Sequence, residues 1–305
     1  MLAFVGALIW FVPAYYAGLV TLVGLYALVT IGLNLFMGYA GQVSLGQAAF
    51  VGIGAYASAV LSVKFGVTPW LGMVAAAAAA GVVAYVLGFV ALRLRENMLA
   101  LATLALGIVI AVVFSEWEYI GATSGIKGIP EFVLGAYHFD LHGYAILAWV
   151  LVAVGVWFAN NLVRSSFGWS LVAISAGELG AEALGVDGER LKRQTFVLSA
   201  VYAGLAGSVY ASYQSYIDPT SFGFLLSVNF VLMSVIGGMR SLQGAIIGAA
   251  VVVALGQLLQ IGIPLLLPSA RGDFQSFFLG AILVAMLILL PRGIVGIGSK
   301  AVVRG

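Results

Sequence analysis

RSSFGWSLVAISAGELGAEALGVDGERLKR, running from Arg164 to Arg193, is the one long polar interval of a chain that is otherwise apolar. It holds Arg164, Glu178, Glu182, Asp187, Glu189, Arg190, Lys192 and Arg193, with apolar runs on both sides. A charge at the centre of a bilayer costs about 3 kcal/mol on insertion scales, so such an interval marks where a chain leaves lipid. The flanks read as membrane spans and the interval as a segment in water.

Composition supports that division. Apolar residues make up 63% of the 305 positions and charged residues 8%, with a mean hydropathy of +1.14. Soluble domains carry roughly 25% charged residues. The apolar runs are long and unbroken rather than alternating every second position, so the spans read as helices and a transmembrane barrel is excluded. The net charge of +2 offers no basic field for nucleic acid. There is no cysteine, which removes disulfides, thiolate chemistry and sulfur-ligated metals.

Outward from the interval, apolar runs follow one another at 14–37, 48–63, 69–92, 98–114, 143–162, 195–213, 225–238, 245–267 and 275–290, with a short run at 1–12 before Pro13. A helix needs about 20 residues to cross 30 Å of hydrocarbon. The expectation is an all-α integral membrane protein, a polytopic bundle of about eight or nine transmembrane helices forming a single transmembrane domain over 1–305. The interval 164–193 is its cytoplasmic loop and 115–142 its outer loop. Lys and Arg concentrate at 93–95, 164–193, 240 and 292–304, and the positive-inside rule places these on the cytoplasmic side. The loop at 115–142, with four acidic residues against Lys127, and the loop at 213–224 fall outside.

Within the interval, Ser175-Ala176-Gly177-Glu178 has the form of a capping box, in which the serine hydroxyl and the glutamate satisfy each other's backbone N–H groups. A helix is expected to start at Ala176 and to stop at Gly185, where glycine tolerates the left-handed conformation. It would be about 9 residues long, or 13 Å. Glu178 and Glu182 lie one turn apart, Leu179 and Ala183 lie on the adjacent face, and Asp187 can cap the next helix. The segment reads either as a solvated connector or as a docking helix for a soluble partner, with its basic residues against anionic headgroups of membrane lipids.

A second interruption is uncharged. Gly38, Gly41, Gly46, Gly52 and Gly54 punctuate residues 38–54, with Gln42, Ser44 and Gln47 as polar side chains. Glycine and serine allow close packing of membrane helices. The same residues also suit an unwound stretch beside an aqueous path, since non-helical backbone survives at membrane depth only inside protein or along water. Gly41, Gln42, Ser44, Gly46 and Gln47 are the candidates for a translocation pathway. The pattern Gly-x-x-Ser-Leu returns at Gly238–Leu242, with Ser241 standing 197 positions after Ser44. That echo is compatible with a duplicated half.

Other polar groups carry less. His138 and His142 sit in the outer loop without further ligands nearby, and Glu116 and Glu118 lie at a span boundary without a nucleophile or base. No ionisable residue falls in mid-span, which argues against coupling to protons or sodium. No Gly-x-x-x-x-Gly-Lys-Ser/Thr phosphate loop is present, so the chain has no ATP site of that kind.

Asn34 to Phe50 (NLFMGYAGQVSLGQAAF), followed by Gly52-Ile53-Gly54-Ala55-Tyr56, resembles the signature of LivM-type permeases of branched-chain amino acid ABC importers. The likeness continues through Thr103–Gly107, Gly125–Pro130, Ala183–Asp187, Lys192–Gly204, Gly237–Gly244 and Pro291-Arg292-Gly293, nearly the whole chain. The resemblance implies a permease subunit, not an enzyme, in a bacterial inner membrane. It implies pairing with a second homologous permease, two cytoplasmic ATP-binding subunits that hold ATP and magnesium, and a periplasmic or lipid-anchored solute-binding protein. The permease itself would bind no cofactor or metal. The capped helix would be the coupling helix, with Ser175, Glu178, Leu179, Glu182 and Gly185 meeting the ATPase. Gln47 stands where many relatives have His, and Ile108 where many have Glu, so urea, amides or aromatic acids are alternative solutes within the family. An ion-coupled secondary transporter and a structural or assembly membrane protein are the alternatives outside it.

Overall fold

The computed structural model describes residues 13–92, 96–135, 137–266, 280–282 and 293–295. The expected run at 1–12, the basic turn at 93–95, most of the span at 275–290 and nearly all of the basic tail lie outside these residues. In chain order the helices are α1 (Ala14–Asn34), continued by a π-helical turn (Leu35–Tyr39), α2 (Gln47–Phe65), α3 (Pro69–Ala91), α4 (Glu96–Glu116), α5 (Leu141–Arg164), α6 (Ser166–Ala176), α7 (Glu178–Ala183), α8 (Gly188–Gln214), α9 (Phe224–Gly237) and α10 (Leu242–Leu266). Among the described residues, eight helices are long and apolar enough to cross a membrane.

The centre of the bundle is α8, packed along α2 and α3. Its buried face is built from Ala200, Ala203, Gly204, Gly207, Ser208 and Ala211. A Cβ on Gly54 would overlap the Gly204 carbonyl, and one on Gly207 would overlap the Val51 carbonyl. Lipid tails are as apolar as leucine, so helices in a membrane associate through close packing and interhelical hydrogen bonds rather than through hydrophobic burial. Ser208 Oγ accordingly donates to Ser58 Oγ across 2.9 Å. Phe196 fills the space beyond the small residues, with its ring centroid 5.1 Å from Phe36 and 5.4 Å from Phe50.

The two ends of the bundle differ. At the acidic end, β1 (Ile126–Lys127) pairs antiparallel with β4 (Tyr216–Ile217), which joins the 115–142 and 213–224 loops on one side as the alternation of spans requires. A hairpin of β2 (Val133–Leu134) and β3 (Tyr137–His138) lies beside them. Trp70, Phe132, Phe139 and Tyr144 pack edge to face or tilted beneath it, and Trp70 Nε1 donates to the Val133 carbonyl. These loops form an ordered cap, because the aromatic side chains supply a small core that the charged positions conceal in the sequence. Asp140 caps α5, its Oδ1 accepting from the Gly143 N–H at 2.8 Å, and His142 lies 3.6 Å from its Oδ2. At the opposite, basic end lie α6, α7, the start of α8 and the α9–α10 turn.

Candidate coupling site

The interval that opened the sequence reading holds two helices before α8, not one. Apolar Leu171 and Ile174 are buried and carry α6 through to Ala176. Ser175 is therefore inside a helix: its Oγ donates back to the Val172 carbonyl at 2.9 Å instead of capping the next helix. The expected capping box is not formed. Gly177, in extended backbone, is the break, and α7 begins at Glu178, two residues later than expected, and spans six residues. The expected stop holds: Gly185 adopts φ +81°. The Val186 N–H donates to the Ala181 carbonyl and the Gly185 N–H to the Glu182 carbonyl, the paired bonds of a Schellman turn. The heavy charge of 164–193 hid the apolar positions 171 and 174, whose helical spacing with Phe167 was the available signal for α6.

The expected coupling residues separate into three groups. Leu179 projects outward and is 84% exposed, as is Leu184 at 83%, a residue not among those expected to couple. Glu178 turns back to α8, its Oε1 2.7 Å from Lys192 Nζ, and the lysine is buried. Glu182 faces the same helix start, at Gly188. Carboxylates there are favoured by the N-terminal end of the α8 dipole, and Asp187 caps that end as expected, accepting from the Arg190 N–H at 3.0 Å. Ser175 belongs elsewhere: it is half-buried against the glycine-rich segment.

That segment is unwound. The π-helical turn ends at Tyr39, residues 40–46 are non-helical with Gly41 at φ +71°, and α2 starts at Gln47. Gln47 Nε2 donates to the carbonyl and the hydroxyl of Ser199, both at 3.0 Å, near the middle of α8, which places the break deep in the bundle. Its backbone donors are taken up by side chains from other helices, Leu45 N–H by Thr103 Oγ1 and Ala48 N–H by Ser227 Oγ. This is how irregular backbone persists at such depth. Of the pathway candidates, Gln42, Ser44 and Gln47 are buried, Gly46 abuts the Thr103 carbonyl and Gly41 faces Ser175. Val43, 39% exposed, is the most open position of the stretch.

The echo at Gly238–Leu242 packs directly on this break. Gly238, like Gly41, has a positive φ, +119° against +71°. Ser241 Oγ caps α10 by accepting from the Gly244 N–H at 3.0 Å. A Cβ on Gly38 would overlap the Met239 carbonyl. Asn34 Nδ2 donates to the carbonyls of Gly238 and Ser241, and its Oδ1 accepts from Ser234 Oγ. Tyr39 Oη donates to the Arg240 carbonyl at 2.9 Å. Arg240 in turn donates through Nε to the Gly38 carbonyl and through Nη2 to Ser175 Oγ, both at 3.1 Å. Sequence reading placed Arg240 at the basic end and within the glycine-serine echo, and gave no separate role to Asn34, Thr103, Ser199 or Ser227; the first three lie in the segments that carry the family resemblance, which was the available signal.

Among the described residues, eight helices long and apolar enough to cross a membrane surround an unwound segment, with a short charged helix outside them, and this defines a polytopic helical membrane protein. The chain belongs to the family described as branched-chain amino acid transport system / permease component, whose model matches residues 15–287. It is 29% identical over 299 residues to the high-affinity branched-chain amino acid transport system permease protein LivM of Escherichia coli (strain K12), covering 90% of this chain and 68% of that protein. It is 26% identical over 301 residues to the probable branched-chain amino acid transport permease protein LivH of Methanocaldococcus jannaschii, covering 92% and 91%. The autoinducer 2 import system permease protein LsrC of Escherichia coli O9:H4 is 31% identical over 169 residues, 55% of this chain and 48% of that one. No solved structure matches the chain.

Proposed function

We propose that this permease is a transmembrane subunit of an ATP-driven importer for leucine, isoleucine, valine or related amino acids in a bacterial cytoplasmic membrane. The observation that carries the reading is α7, a six-residue helix outside the apolar spans: Leu179 within it and Leu184 just past its end are more than four-fifths exposed among charges. Exposed apolar side chains outside the lipid-facing spans are available to dock on a soluble partner. The partner there is the cleft of an ATP-binding subunit, which holds ATP and magnesium. A second homologous permease and a second ATP-binding subunit complete the membrane complex, and a solute-binding protein delivers to the acidic end.

On this reading the basic end is cytoplasmic. Arg193 lies over the Phe89 ring at 4.2 Å and near Tyr85 at 5.6 Å, a pairing of cation and aromatic faces suited to the headgroup boundary. The solute follows from the relatives named for branched-chain amino acids. Gln47 and Ile108 depart from the pattern of many relatives, and one relative matched over about half of this chain is named for autoinducer 2, so urea, amides and aromatic acids stay as alternatives. Against an ion-coupled carrier, the one charged side chain among the buried polar residues described is Lys192, which is paired with Glu178. The test is uptake of radiolabelled leucine into vesicles holding the complete complex. ATP-dependent uptake competed by isoleucine and valine supports the reading. Uptake that persists without any ATP-binding subunit supports the carrier instead.

A further inference from the structure

We infer that Arg240 is a clasp that ties the end of α6, and through Gly177 the motion of α7, to the end of the π-helical turn and the unwound residues 40–46 that follow it. Three breaks in regular structure converge on this one side chain. The Gly38 carbonyl, at the end of the π-helical turn, accepts from Arg240 Nε at 3.1 Å. The α9–α10 turn supplies Arg240 itself, whose carbonyl is held by Tyr39 Oη. Ser175, two residues before the Gly177 break, accepts from Arg240 Nη2 at 3.1 Å and stands against Gly41, whose added Cβ would lie 3.2 Å from the serine Cβ.

These contacts differ in kind. The Tyr39 and Gly38 bonds join the two halves of the glycine-serine echo, while the Ser175 bond alone reaches the α6–α7 hinge. Pulling α7 outward moves Ser175 first and strips that outer bond, leaving the guanidinium on the Gly38 carbonyl alone. The unwound residues 40–46 are then released from Ser175 at Gly41. Packed elements of this sort switch between discrete arrangements rather than deform continuously. The significance of the clasp for transport rests on the proposed docking at α7; its mechanical claim concerns this chain alone.

The experiment is hydrogen–deuterium exchange by mass spectrometry on the full chain in lipid nanodiscs without partner subunits. Arg240→Gln should raise exchange in the peptides covering 38–47 and 237–244 by about tenfold, as loss of charge-assisted hydrogen bonds implies. Ser175→Ala should raise exchange at 38–47 by less, and the double variant should match Arg240→Gln alone, since the two act through one contact. Exchange in 141–155 should stay as in the parent. Unchanged exchange at 38–47, or a rise spread equally over 141–155, overturns the clasp. Should Arg240→Gln fail to accumulate, Ser175→Ala must still raise exchange at 38–47 for the clasp to stand. In the complex isolated through a tag on this chain, Ser175→Ala should lower solute moved per ATP hydrolysed at least threefold while ATPase activity is still recovered; an unchanged ratio overturns the clasp. A parent complex that recovers no ATPase activity overturns the docking reading instead.

Discussion

Lys192 and Glu178 form a close ion pair at 2.7 Å across the turn between α7 and α8, with the lysine side chain 6% exposed and the glutamate 46%. The pair fixes the short helix to the long one that runs through the bundle. A lone helix of six residues has no stability in water, because nucleation is not repaid over so short a length. What holds α7 is therefore its tether, its Schellman turn and the burial of Ala181.

Glu178→Gln should destabilise the permease by about 1–3 kcal/mol, because the buried ammonium loses its charged partner. Lys192→Met removes that charge and should cost less. Glu178→Gln added to Lys192→Met should cost almost nothing further. Thermal unfolding of the three variants in detergent checks the cycle, and equal losses for Glu178→Gln with and without Lys192 contradict the pairing.

Two glycines at different places should respond in opposite senses. Gly54→Leu forces side-chain atoms into the Gly204 carbonyl, and no rotamer avoids a backbone contact, so a loss of 3 kcal/mol or about that is expected, with little folded protein recovered. Gly180 lies inside α7 with open space around it. Gly180→Ala should stabilise that helix by roughly 0.5–1 kcal/mol, seen as slower amide exchange over 178–186 with no change elsewhere.

Acid should loosen the outer cap before the bundle. The Gly143 N–H, and then the Tyr137 hydroxyl, hold the Asp140 carboxyl below the usual carboxylate range against partial burial. Burial opposes ionisation of Asp218, and hydrogen bonds from Thr220 and Ser221 outweigh it, so this group too is lowered. Both shifts are downward from an ordinary value of about 4. Their contribution is thus complete above that value and is lost as pH falls through the lower folded values. Exchange in 126–143 and 213–222 should rise below pH 4 or so, and Asp140→Asn should remove the pH dependence of 137–144. Loosening that begins near neutral pH contradicts this.

Much of the architecture could be read from hydropathy because lipid leaves a chain few choices: a long apolar run must be a helix to satisfy its own backbone. The stop of α7 was equally legible, since Gly185 needs the left-handed turn that closes the helix. Its start was not. A capping box is a local pattern, and burial of Leu171 and Ile174 keeps Ser175 in the preceding helix, so tertiary packing overrides it. The glycine-rich break illustrates a second limit. It shows in the glycines, but the bonds that hold it come from partners about 60 to 200 positions away: Thr103 on the Leu45 N–H, Ser199 on Gln47 and Arg240 on the Gly38 carbonyl. No local spacing encodes those contacts.

Leu179 and Leu184 offer the most direct measurement of the proposed entry of energy through α7. Leu179→Asp with Leu184→Asp changes two exposed side chains and should leave the thermal unfolding of the chain alone within about 0.5 kcal/mol of the parent. The complex recovered through a tag on the variant should lose its ATPase activity, and ATP-driven uptake of leucine in vesicles should fall at least tenfold. Full ATPase recovery together with unaltered uptake would contradict the account.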